Sequence, residues 1–187
     1  MAVDPQKLRI EIYPAPCLRE RAREVGEITP EVRHVVARMA ELMVEAEGIG
    51  LAATQVGVPW RIFVCRVPAS ERWSPDDDPP TANDRLEAFI NPVIEAIGAP
   101  EADEEGCLSL PDIRGDVLRS PQVTISATDV EGNWFTRTAG GLLARCWQHE
   151  LDHLDGVLIL DRMTQMGRLK NRAALRALER QGGSAGG

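Results

Sequence analysis

No part of this sequence is long and apolar enough to cross a bilayer. The longest run without a charge, Gly48 to Trp60, is rich in glycine and well short of the roughly 20 apolar residues a spanning helix needs. The start, MAVDPQKLRI, has no apolar segment of the kind that directs export, so the expectation is a cytoplasmic protein with no membrane partner. The four cysteines, Cys17, Cys65, Cys107 and Cys146, show no CxxC spacing; without an export signal they read as reduced thiols, not as a disulfide framework. An excess of basic charge is missing too. With 21 basic and 29 acidic residues the net charge is -8, which argues against a protein that coats nucleic acid, and no DNA partner is expected.

The 187 residues fit one domain, taken as 1–187. The acidity is uneven. Residues 162–187 hold Arg162, Arg168, Lys170, Arg172, Arg176 and Arg180 against Glu179 alone, so this segment is +5 and the rest is -13. A basic C-terminal helix facing solvent accounts for the pattern, and so does a docking surface for RNA.

Thr29-Pro30 is a helix start, and Val32, Val35, Val36, Met39 and Met43 follow at helical spacing up to Gly48. His34 falls on the polar face. Arg61 to Val67 reads as a strand that places Cys65 in the core. Residues 68–84, with four prolines and three consecutive aspartates, predict an exposed loop, and 181–187 a flexible tail. Strands are expected at Glu87 to Ile90, Val93 to Ile97, Val123 to Val130 and Trp134 to Thr138, the last two joined as a hairpin. Leu142 to Leu154 reads as a helix ended by Gly156, and a last helix follows from about Leu169. Strands mixed with few helices, without βαβ alternation, predict an α+β fold.

The sharpest chemical signal is His149-Glu150-Leu151-Asp152-His153, an HExxH pattern inside that helix. Two histidines four apart lie about 40° apart around the axis, so both rings can reach one cation, while Glu150 can address a water there without binding the ion. The helix is otherwise apolar, with Leu142, Leu143, Cys146, Trp147, Leu151 and Leu154, so His, Glu and Asp within it need partners to offset desolvation. A third ligand is not obvious. No His follows His153, and the only later Glu is Glu179. Cys146 is seven residues from His153, about 10.5 Å along the axis, too far to share an ion with it, and is expected to line the pocket. Cys107, in Glu105-Gly106-Cys107-Leu108-Ser109, is a candidate thiolate, although a cysteine taken alone is more often a core residue.

Three segments, Gly48-Ile49-Gly50-Leu51-Ala52-Ala53-Thr54-Gln55, Glu105 to Ser109 and Gln148 to His153, resemble in the same order the three signature motifs of peptide deformylases. The resemblance spans roughly residues 6 to 170. It implies mixed, mainly antiparallel sheets packed around a central HExxH-bearing helix, with a C-terminal helix. The implied reaction removes formate from the N-formylmethionine that begins nascent polypeptides. Cys107, His149 and His153 would hold one divalent metal ion per chain, Fe(II) in the cell, with zinc, nickel or cobalt in purified protein. Glu150 would be the general base and proton donor; the Gln55 amide and the Leu108 N–H would stabilise the developing oxyanion. Ile49, Gly50 and Gly106 would bind extended peptide, Ile49, Leu142, Cys146 and His149 would wall the methionine pocket, and Arg114 would face the peptide downstream. Glu105 is a candidate acceptor for the second ring N–H of a metal-bound histidine. A monomer is expected, with ribosome contact through the basic tail. Two other readings are an HExxH metallopeptidase cutting internal bonds and a catalytically silent deformylase-like domain that binds peptide or ribosome.

Overall fold

The computed structural model describes residues 3–184; residues 1, 2 and 185–187 lie outside it, and so does that end of the expected tail. Among the described residues the fold mixes α and β, with two antiparallel sheets and five α-helices: β1 (Gly50–Ala52), β2 (Ile62–Val67), β3 (Asn83–Ile97), β4 (Glu101–Cys107), β5 (Leu110–Arg119), β6 (Gln122–Thr128), β7 (Trp134–Gly140), α1 (Pro30–Glu45), α2 (Gly141–Leu154), α3 (Ile159–Arg162), α4 (Gln165–Lys170) and α5 (Arg172–Ser184). The larger sheet runs β1-β2-β3-β6-β7, and β4-β5 form a separate hairpin.

Strand β2, IFVCRV, is apolar almost throughout because both of its faces are covered. Ile62 and Val64 point to α1, where they meet Val35, Met39 and Met43. Phe63, Cys65 and Val67 point to α2, where they meet Leu143, Trp147 and Leu154. Cys65 is buried in that core, as its sequence context predicts. Helix α1 starts as expected, with the Thr29 side chain accepting from the Val32 N–H, and His34 is exposed. In β6 the inward Val123, Ile125 and Ala127 alternate with Thr124 and Ser126, which hydrogen-bond Thr138 and Thr136 of β7.

The structure corrects several sequence expectations. The two short strands at 87–90 and 93–97 are one strand, β3, whose register shifts between Ile90 and Val93. Pro92 has no N–H to donate there, and Asn91, at φ 52°, turns its side chain to exchange two hydrogen bonds with the Val25 backbone. Strand β4, EADEEGC, was not expected, because four of its residues are exposed acids or alanine with no alternation to read. Segment 68–84 is not wholly an exposed loop: Trp73 packs on the α2-side core, Ala82 is buried, and Asn83 already belongs to β3. The last helix is two helices, α4 and α5, meeting at Asn171, and α5 continues to Ser184 where a flexible tail was expected from 181. No helix among the described residues is long and apolar enough to span a membrane.

Candidate metal centre

Helix α2 has two working faces. Leu143, Ala144, Trp147 and Leu154 sink into the core, while Leu142, Cys146, His149 and Glu150 line a cleft of about 510 Å³. Across the cleft stand Ile49 and Gly50 at the edge strand β1, Gln55, and the end of the β4-β5 hairpin with Gly106, Cys107, Leu108 and Arg114. All the residues nominated from the sequence except His153 line this one cleft. His153 is buried behind its floor.

Three ligand atoms converge there. Cys107 Sγ lies 3.3 Å from His153 Nε2, which lies 3.2 Å from His149 Nε2, and the three donors are all within 4.8 Å of one another. Bonds of about 2.3 Å to sulfur and 2.0–2.1 Å to nitrogen at tetrahedral angles would set such donors roughly 3.3–3.6 Å apart, so the set fits a single transition-metal ion. Glu105 Oε2, 3.0 Å from His149 Nδ1, accepts a hydrogen bond from an N–H there, the tautomer that leaves the Nε2 lone pair facing the other two donors. Burial, helped by the neighbouring His149 and Arg119, pushes the His153 pKa well down, so this ring stays neutral as a ligand must. Burial also disfavours charge on His149, but the hydrogen-bonding partners Cys107 and Glu105 more than offset it and push this pKa up.

Glu150 is 3% exposed, and its Oε2 has no hydrogen-bond partner among the described residues. Burial pushes its pKa up to about 7, against a downward pull from the charge of His149. A carboxyl so placed beside a metal site has the basicity of a proton carrier. Its room depends on Gly50. A Cβ at Gly50 would collide with Glu150 Oε1, and would sit 2.7 Å from Glu150 Cδ and 2.9 Å from Cys146 Sγ. Gly50→Ala is therefore expected to keep the fold and the metal while lowering turnover at least about 10-fold, because small misplacements of a catalytic group are costly. Metal analysis beside a rate measurement checks this, and unchanged turnover would mean that Glu150 has slack.

Gln55 is held at both ends of its amide. Its Oε1 accepts from the Ala52 N–H at 2.9 Å, and its Nε2 lies 3.2 Å from Ser109 Oγ and 3.6 Å from Cys107 Sγ. Arg114 is exposed and bridges to Glu104 at the cleft rim.

Beneath the histidines runs a buried ionic network that the sequence did not disclose. Arg119 of β5, 5% exposed, clasps Glu105 with Nε and Nη2 at 3.0 Å each and turns Nη1 to Asp152. Arg145 also reaches Glu105, at 2.8 Å, and Arg162 reaches Asp152, at 2.8 Å. Burial alone would raise the Glu105 pKa; the hydrogen bonds from His149 and Arg119 and the Arg119 charge outweigh it and hold this carboxylate well below its usual range. The one available signal was a charged residue at an inward position of an alternating strand, but without the β4-β5 pairing that position could not be assigned.

Two histidines and a glutamate on one helix, a cysteine from a hairpin and an open cleft beside them form a donor set that could hold one metal ion next to a bound molecule. The sequence profile of the polypeptide deformylase family matches residues 7–169. The chain is 41% identical over 170 residues to a peptide deformylase of Acidobacterium capsulatum, covering 91% of this chain and 94% of that relative. It is 44% identical over 147 residues to peptide deformylase 2 of Gloeobacter violaceus, covering 78% and 73%. The crystal structure of the Plasmodium falciparum peptide deformylase superposes with a TM-score of 0.84 at 36% identity, covering 96% of this chain and 99% of that one. The Ehrlichia chaffeensis enzyme in complex with actinonin gives 0.82 at 32% identity, covering 97% and 98%. This chain belongs to the polypeptide deformylase family.

Proposed function

We propose that this chain removes the formyl group from N-formylmethionine at the start of newly made polypeptides, releasing formate, and that residues 1–187 act as one catalytic domain built around α2. The observation that carries the residue assignment is the convergence of Cys107, His149 and His153 within 4.8 Å, with Glu150 beside them. These three side chains would hold one divalent cation, which when bound polarises the formyl carbonyl and makes water more acidic.

The protein's own groups supply the rest. Glu150 takes a proton from the attacking water and passes it to the amine nitrogen as the carbon–nitrogen bond breaks, so that one water is consumed for each formate and free amine formed. The Gln55 amide and the Leu108 N–H donate to the carbonyl oxygen as it gains charge; losing one such donor typically costs about 10²- to 10³-fold in rate. The peptide extends between the edge strand β1 and the hairpin, hydrogen-bonded to the backbone at Ile49, Gly50 and Gly106. Ile49, Leu142 and Cys146 give the methionine side chain an apolar wall, and Arg114 faces the residues that follow.

One thiolate and two imidazoles suit Fe(II), zinc, nickel or cobalt, and Fe(II) is the ion we assign in the cell. The enzyme works as a cytoplasmic monomer, and the basic residues of α4 and α5 bring it to ribosomal RNA. That contact should weaken with salt and vanish when residues 168–187 are deleted. The decisive assay is formate release from formyl-Met-Ala-Ser. Chelation is expected to abolish it and a divalent metal to restore it, whereas Cys107→Ala should lose both metal and activity. Full activity after exhaustive chelation would overturn the assignment.

A further inference from the structure

The segment between β2 and β3 is chemically distinctive and has no part in the reaction described so far. Its polar tip is exposed, yet its base is fastened to the start of α2. That helix begins at Gly140-Gly141 with no side chain to cap it. The segment supplies the missing acceptors: the Gly140 N–H donates to Pro80 O at 2.9 Å and the Leu143 N–H to Thr81 O at 3.1 Å. Thr81 is itself held by Ser74, whose carbonyl accepts from the Thr81 N–H at 3.0 Å and whose N–H donates to Thr81 Oγ1 at 2.9 Å.

Trp73 completes the fastening. Its ring lies on Gly141, where an added Cβ would stand 2.7 Å from Trp73 Cε3 and closer still to Cζ3, and Gly141 has φ 51°. Only a glycine lets the indole seat there. The ring packs against the same core as Ile49 and Leu142, and Arg72 stacks 4.4 Å above it. Leu142 is the next residue after Gly141, and Cys146 lies one turn further along the cleft face, with its sulfur 3.5 Å from Ile49 O. The first turn of α2 thus has the Trp73 segment on one side and the cleft on the other.

We propose that Trp73, with the Thr81 carbonyl, is a positioning element that sets the wall formed by Leu142 and Cys146 and so governs how tightly the first side chain of the substrate is held. The proposal rests on reading the cleft as the formylmethionine site. Trp73 touches no reacting atom, and His149 and His153 sit about two and three turns further along α2, so its effect belongs in binding and not in turnover.

The test compares the unaltered enzyme with Trp73→Ala, Trp73→Leu and Trp73→Phe, using formyl-Met-Ala-Ser and formyl-Ala-Ala-Ser. For Trp73→Ala the expected result is a KM for the methionyl peptide raised about 5- to 10-fold with kcat within about 2-fold, the pattern of lost uniform binding. Discrimination between the two peptides should shrink, metal content should stay the same, and Trp73→Phe should restore most of the difference. Trp73→Leu, which keeps an apolar body, covers the case in which the alanine variant does not fold and should fall between. Unchanged discrimination in the folded variants would overturn the proposal even if their thermal midpoints fell, since lost packing alone predicts lower stability without a change in selectivity. Failure of the unaltered enzyme to release formate would instead strike the reading of the cleft.

Discussion

Glu150→Gln is expected to bind metal as the unaltered chain does and to release formate about 10²- to 10⁴-fold more slowly. The substitution keeps size and shape in a site that leaves Glu150 3% exposed, and it removes only the capacity to take and return a proton. Glu150 is not among the converging donors, so metal content should not follow activity. Stopped-assay formate measurement on metal-matched samples separates the two properties. Retained turnover would transfer the proton-carrying role to another group and undo the mechanism. The outcome also bears on the alternative of a silent binding domain, which predicts no rate to lose.

Arg119→Met should cost about 3–5 kcal/mol of stability, which for a chain of this size is a fall of roughly 10 °C in thermal midpoint. Most of that cost comes from what stays behind: Glu105 and Asp152, 6% and 8% exposed, would be buried with a missing counter-charge. Arg119→Lys should recover little, because one ammonium cannot reproduce a two-pronged clasp on Glu105 and a third bond to Asp152. Metal affinity should fall alongside, since Glu105 orients His149 only while its own position is fixed. Calorimetry with and without added metal measures both effects. A variant as stable as the parent would mean that Arg145 and Arg162 carry the network without it.

What could be read in the sequence followed the physics of each element. The HExxH helix was legible because its ligand pattern and its apolar residues share a period of 3.6, and β2 because burial on both faces leaves an unbroken apolar run. Strand β3 looked like two strands because Asn91-Pro92 interrupts the ladder without ending it. Hairpin strand β4 was hidden by its own acidity: its one buried side chain, Glu105, is stabilised by arginines distant in the chain, and single-chain periodicity carries no trace of that. Cys107 could be offered from its chemistry as a candidate thiolate, but only the resemblance made it the third ligand, because nothing local says that an acidic hairpin will fold back over α2. Trp73 lay in a run of prolines and aspartates whose average polarity concealed one docking aromatic.

The sulfur and the imidazoles come from elements with different foundations. Helix α2 is rooted in the core of the five-stranded sheet, whereas the hairpin that presents Cys107 rests on Leu110, Ile113, Val117 and the apolar residues of α3. An ion held by these three donors would therefore also rivet the hairpin to the helix, and starving the protein of it would loosen the molecule along the same seam at which it silences it.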